Sequence, residues 1–152
     1  MISNCSFNNF EQKVMRYSKK YINALTYKVI GCAIEVHRQL GPGLLEIMYE
    51  RALCHEMQIQ QIPFERQKKI ELKYKGVSLN ALLQFDVLVE GVVLIELKAV
   101  TQMHPIFEAQ LITYMQQCAV PKGILLNFHV VNLYKEGTKT FVNKHYQNLP
   151  DE

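Results

Sequence analysis

Residues 79–100 read LNALLQFDVLVEGVVLIELKAV, and the pairing of this stretch decides the fold. Two apolar runs, Leu79 to Val89 and Val92 to Val100, meet at Glu90-Gly91, the composition of a hairpin between buried strands. In the first run the odd positions Leu79, Ala81, Leu83, Phe85, Val87 and Val89 are all apolar, and the even ones include Asn80, Gln84 and Asp86. In the second run Val93, Ile95, Leu97 and Ala99 are apolar, and Glu96 and Lys98 hold even positions. Because side chains alternate along a strand, Glu96 and Lys98 share one face and Leu97 takes the other.

Loop length decides whether Asp86 joins them. A two-residue loop at Glu90-Gly91 sets Asp86 against Ile95, whereas the three-residue loop Glu90-Gly91-Val92 sets it directly against Glu96. The reading adopted is an odd-length loop or a bulge, with the two acids opposed. Paired carboxylates repel unless something positive lies between them, and a divalent metal or the Lys98 ammonium can do this. Such a set suits hydrolysis of a phosphodiester. Asp86, Glu96 and the Leu97 carbonyl offer hard oxygen ligands to Mg²⁺ or Mn²⁺, which would polarise the phosphoryl oxygen and acidify a water, while Lys98 positions the nucleophile or stabilises the developing charge. The competing reading is an exposed sheet face with scattered charge, where Lys98 forms a salt bridge with one carboxylate.

The surrounding sequence supplies helices and further strands. Val29, Ile30, Ala33, Ile34, His37 and Leu40 recur at helical spacing until Gly41-Pro42-Gly43 stops the run. Leu45, Met48, Tyr49, Ala52 and Leu53 begin a second helical stripe reaching about Met57. Ile70, Leu72 and Tyr74 alternate with Lys69, Glu71, Lys73 and Lys75, which predicts a strand with one wet face, closed by Gly76. Pro105 suits the first turn of a third helix with the stripe Phe107, Leu111, Tyr114, Met115 and Cys118, ended by Pro121. Gly123 to Phe128, Val130 to Tyr134 and Thr138 to Val142 read as strands, with Lys135-Glu136-Gly137 as a turn. The predicted order is ααβββαββ, an α/β fold in which a mixed central sheet is flanked by helices. Residues 1–24 read as a lead-in, loosely ordered or partly helical, and residues 25–152 as a single domain.

A chain of 152 residues buries roughly 70% of the surface its unfolded form exposes, so neither disulfides nor a structural metal are needed for folding. No apolar run approaches the ~18 residues of a membrane span, and Met1 to Phe10 lacks the apolar stretch of a signal peptide, so no membrane partner and a cytoplasmic location are expected. Cys5, Cys32, Cys54 and Cys118 contain no CxxC pair and read as reduced, mostly buried thiols. Lys+Arg 17 against Asp+Glu 14 gives a net charge of +3, short of the excess that alone argues for nucleic acid. Lys68, Lys69, Lys73 and Lys75 cluster on or near the first strand, either tracking phosphates or forming a solvated face.

Asp86, nine intervening residues and Glu96-Leu97-Lys98 on an apolar hairpin together resemble the PD-(D/E)XK nuclease superfamily, whose restriction-endonuclease-like core is αβββαβ. Gly43-Leu44-Leu45-Glu46-Ile47-Met48-Tyr49 resembles the signature of one branch, the GxxExxY proteins, and the likeness runs from about Val29 to Val142. The superfamily's Pro before the first acid is replaced by Phe85. Gln110 and Tyr114 reproduce the QxxxY pattern that follows the ExK strand in RecB-type members. The resemblance implies a Mg²⁺- or Mn²⁺-dependent nuclease acting on DNA. Asp86 and Glu96 would be metal ligands, Lys98 the catalytic cation, and Gln110 and Tyr114 would place the substrate backbone or the lysine. Glu46 either adds a carboxylate to the metal or complements its helix dipole. His37 is either near the metal, as in RecB-type enzymes, or a hydrogen-bonded core residue. The rival is a non-catalytic accessory or binding module that keeps the fold and works through nucleic acid, a protein partner or a homodimer.

Overall fold

The computed structural model describes residues 16–152, so Cys5 and the polar stretch Met1 to Phe10 lie outside the described residues. Helix α1 spans Lys19–Leu40, beginning well before the apolar stripe at Thr26 because the Ser18 side chain accepts a hydrogen bond from the Tyr21 N–H. It buries Ile22, Leu25, Val29, Cys32, Ala33 and Val36, and ends at Gly41, whose φ of 68° suits a residue without Cβ. Helix α2, Glu46–Ile59, follows directly. It buries Tyr49, Glu50, Leu53, Cys54 and Met57, while Leu45 and Met48 of the predicted stripe are exposed. The buried face is thus rotated from the sequence stripe so that one carboxylate, Glu50, turns inward.

Strands β1 (Phe64–Arg66), β4 (Val87–Val89), β5 (Val93–Lys98), β6 (Lys122–Asn127) and β7 (Thr138–Val142) form a five-stranded sheet in the order β1-β4-β5-β6-β7. Only β5 and β6 run parallel, joined by α3 (Pro105–Gln117), which starts at Pro105 as predicted. Helices cover both faces. Val87, Val89, Val93, Ile95, Leu97, Ile124 and Leu126 belong to one apolar cluster with α1 and α2. Leu88, Leu94 and Leu125 belong to a second cluster with Leu111 and Met115 of α3. Burial on both faces is why β5 reads as a continuous apolar run. This is the predicted mixed sheet flanked by helices, in a restriction-endonuclease-like arrangement.

Three local expectations are corrected. Leu79 to Val89 is not one strand: β3 (Val77–Gln84) leaves the main sheet and pairs only with β2 (Lys69–Tyr74), and the chain breaks at Phe85-Asp86 before β4. Leu79 and Ala81 are consequently exposed rather than core. The run Val130 to Tyr134 is not a strand, because the Asn132 side chain accepts from the Lys135 N–H and opens the one-turn helix α4 (Leu133–Glu136). Another one-turn helix, α5 (Lys144–Gln147), and the short strand β1 complete an order of ααβββββαβαβα.

Candidate active site

The tip of the β4–β5 hairpin sets the register. Glu90 and Gly91 both have positive φ, 50° and 72°, and the Val92 N–H donates to the Val89 carbonyl while Val89 pairs with Val93. Val92 is therefore the extra residue that makes the loop odd, as the sequence implied. The ladder Val89↔Val93, Leu88↔Leu94, Val87↔Ile95 leads directly to Asp86 beside Glu96. Asp86 Oδ2 accepts from the Leu97 N–H at 2.8 Å, and the Asp86 N–H donates to Glu96 Oε1 at 3.4 Å.

Asp86 sits in the break between β3 and β4, and neighbouring main chain holds that break open. The Gln67 N–H donates to the Asp86 carbonyl and the Phe85 N–H to the Lys68 carbonyl, both at 2.9 Å. Gln67 adopts a positive φ of 53°, and its side-chain amide donates to Glu50 Oε1 while its carbonyl accepts from Gln84. Glu50 is also paired with Arg66 Nη2 at 3.0 Å. Glu46, Ile47, Glu50, Gln67, Asp86 and Leu97 line a cleft of about 360 Å³. Glu50, Arg66 and Gln67 were not anticipated from sequence. The available signal was the i, i+4 spacing of Glu46 and Glu50, which puts both carboxylates on one face of α2.

The electrostatics are those of crowded acids. Glu96 is only 7% exposed, and burial, reinforced by the Asp86 charge, pushes its carboxyl up to about 8. Glu46 is raised too, first by burial and then by Asp86 and Glu50, with Lys98 acting in the opposite direction. A buried Glu96 does not match the exposed, scattered-charge alternative. The salt bridge of that alternative is absent among the described residues as well, since the Lys98 ammonium lies 4.5 Å from the Phe107 ring centroid and forms no ion pair. The end of β5 is fixed from β6: the Phe128 N–H donates to the Lys98 carbonyl at 2.9 Å, and the Asn127 side chain bonds both the N–H and C=O of Val100.

Among the described residues no three His, Cys, Asp or Glu side chains are grouped as metal ligands. The donor set nonetheless suits Mg²⁺ or Mn²⁺, because Mg²⁺ commonly takes one or two carboxylates and keeps several waters. Asp86 and Glu96 are two adjacent carboxylates whose mutual repulsion a cation would relieve.

A family model of the PD-(D/E)XK nuclease superfamily matches residues 23–141. The chain belongs to that superfamily. No curated protein and no solved structure matches it. The PD-(D/E)XK match spans the helix corner, the β4–β5 hairpin with the Asp86 break before it, and α3, and so contains every residue singled out above as a candidate for the site.

Tyr49 explains why the corner of this PD-(D/E)XK domain carries the residues it does. Its hydroxyl donates to the Gly41 carbonyl at 2.6 Å and accepts from the Leu44 N–H at 3.1 Å, while its fully buried ring stacks on Phe128 at 4.5 Å. The Gly41 to Leu44 turn is thereby locked, and Glu46 emerges at the cleft on the first residue of α2. That position also complements the helix dipole, so both readings of Glu46 fit one geometry. His37 shares a hydrogen bond with the Val130 carbonyl through Nε2 at 2.8 Å, the arrangement of a satisfied core histidine. On α3, Gln110 Nε2 donates to the Tyr114 hydroxyl at 2.9 Å, and the Tyr114 ring packs 5.3 Å from Phe85, the residue before Asp86. Among the described residues no helix is long and apolar enough to cross a membrane.

Proposed function

We propose that this chain is a Mg²⁺- or Mn²⁺-dependent nuclease of the GxxExxY branch that hydrolyses phosphodiester bonds in DNA in the cytoplasm. The observation that carries the reading is the opposition of Asp86, which lines the cleft, and the buried Glu96 beside it, with the Glu96 carboxyl raised to about 8. Buried acids pressed together are costly unless a cation joins them, and perturbed groups in clefts mark functional sites. A bound divalent metal supplies the Lewis acidity that polarises a phosphoryl oxygen.

The protein's own groups do the rest. Asp86 and Glu96 would hold the cation with the Leu97 carbonyl, and Glu46, which lines the same cleft, would supply a further carboxylate. Lys98 stabilises the negative charge that develops on the transferred phosphoryl group. Gln110 and Tyr114, tied to each other beside Phe85, position the substrate backbone.

One observation favours a second reading, a binding module that keeps the fold without cleaving: Lys98 rests on Phe107 instead of between the carboxylates. Titration calorimetry separates the two. The nuclease reading expects Mn²⁺ binding that Glu96→Gln weakens at least about tenfold, since a ligand's negative charge is removed. No heat with either metal favours the binding module.

A further inference from the structure

We infer that the β2–β3 hairpin is a phosphate-tracking ribbon that leads a nucleic-acid backbone into the cleft, an inference that rests on the nucleic-acid reading above. The hairpin is a two-stranded sheet of its own, turned at Lys75-Gly76, whose φ values of 48° and 80° are those of a tight two-residue loop. One face is anchored, because Ile70 and Leu83 oppose each other and pack on the cluster beneath α3. Alternation along β2 puts Lys69, Glu71 and Lys73 on the other face, opposite Gln84, Leu82 and Ser78, with a shift of register in the ladder between Glu71 and Lys73.

That free face starts at the lip of the cleft. Lys69 is paired with Gln84, which donates to the Gln67 side chain that lines the cleft beside Glu50 and Asp86. At about 3.3 Å per residue, Lys69 and Lys73 stand roughly 13 Å apart along the ribbon. Lys75 at the turn continues the line, held 5.4 Å from the Tyr74 ring centroid. Lys69 and Lys73 are exposed and form no ion pair among the described residues.

Charge favours a polyanion as the occupant. Between residues 69 and 84, Lys69, Lys73 and Lys75 stand against Glu71 alone, so this hairpin holds +2 of the chain's net +3, while Lys68 just before it is paired with Glu65 at 2.9 Å. The cleft itself is lined by the carboxylates of Glu46, Glu50 and Asp86, which repel phosphate in the absence of a cation. Glu71, which accepts from the Ser78 hydroxyl, interrupts the ribbon and supplies a test in the opposite direction.

The experiment is fluorescence anisotropy of a short labelled duplex DNA with the full-length protein in chelator, over a range of salt, with cleavage in metal measured separately. Replacing three phosphate contacts in the combined variant Lys69→Ala, Lys73→Ala, Lys75→Ala should flatten the slope of log affinity against log salt by about 3 and weaken binding at least about tenfold for every sequence tried. Glu71→Gln should tighten binding. Circular dichroism and melting of the triple variant should match wild type, because the three side chains are exposed. A triple variant with wild-type slope and affinity overturns the inference while leaving intact any nuclease activity measured. Loss of self-association instead of DNA binding assigns the exposed Tyr74, Val77 and Leu82 to a second copy and also overturns it. A wild-type protein that neither binds nor cleaves DNA overturns both readings.

Discussion

Asp86 Oδ2 accepts a hydrogen bond from the main-chain N–H of Leu97 at 2.8 Å, tying the first acid to the strand that carries Glu96 and Lys98. Asp86, in the break before β4, is thereby held to the strand from which Glu96 and Lys98 project. Asp86→Asn keeps the size of the side chain and a carbonyl acceptor for Leu97 but removes the charge. It should leave melting within a few degrees of wild type and cut cleavage by at least about a hundredfold, on the scale expected for loss of an electrostatic group at the reacting centre. Parallel melting curves and initial rates in Mn²⁺ check it.

The raised Glu96 carboxyl makes stability depend on pH. Its ordinary value is 4.5 and its folded value about 8, so between these limits the folded state binds a proton that the unfolded state has released. The stability that Glu96 contributes is fully present below about pH 4.5, declines as pH rises toward about 8, and then levels off. Melting temperature against pH in chelator should show this decline for wild type and a flatter profile for Glu96→Gln. Mg²⁺ should reduce the decline, because the cation replaces the proton. Coincident profiles for the two proteins would contradict the assignment.

The hydroxyl of Tyr49 bridges Gly41 and Leu44, so Tyr49→Phe removes one donor and one acceptor from a buried corner while keeping the ring on Phe128. The cost is about 1 to 2 kcal/mol, a fall of roughly 2 to 8 °C in melting temperature for a chain of this size. An unchanged melting temperature would mean that water or relaxation replaces the two bonds.

Glu50 is buried between Arg66 and Gln67, and Gln67 in turn holds the Asp86 carbonyl. Glu50→Ala strands the Gln67 amide, with Arg66 partly screened by solvent, and should cost about 1 to 3 kcal/mol. Glu50→Gln, which keeps hydrogen-bonding capacity, should recover part of that loss. Chemical denaturation of the two variants checks the order.

Sequence made the central opposition legible. Strand alternation put Glu96 and Lys98 on one face, and of the two loop lengths the sequence left open the odd one adopted is the one that sets Asp86 beside Glu96. Pro105 likewise marked the start of α3 by its fixed φ and missing N–H. The break at Phe85-Asp86 was hidden, since alternation looks the same whether Leu79 to Gln84 joins the main sheet or projects as its own hairpin. Glu50 was hidden for another reason: its burial depends on Arg66 and Gln67, which reach it from β1 and the turn beyond. The run Val130 to Tyr134 had strand composition, and a single capping side chain, Asn132, outweighed it.

The most direct test of the nuclease account compares wild type with Lys98→Ala on defined single- and double-stranded DNA in Mg²⁺ or Mn²⁺. The account predicts metal-dependent cleavage by wild type and its loss in Lys98→Ala, with both proteins folded. Cleavage that persists in Lys98→Ala, or no cleavage of any substrate by wild type in either metal, would contradict it.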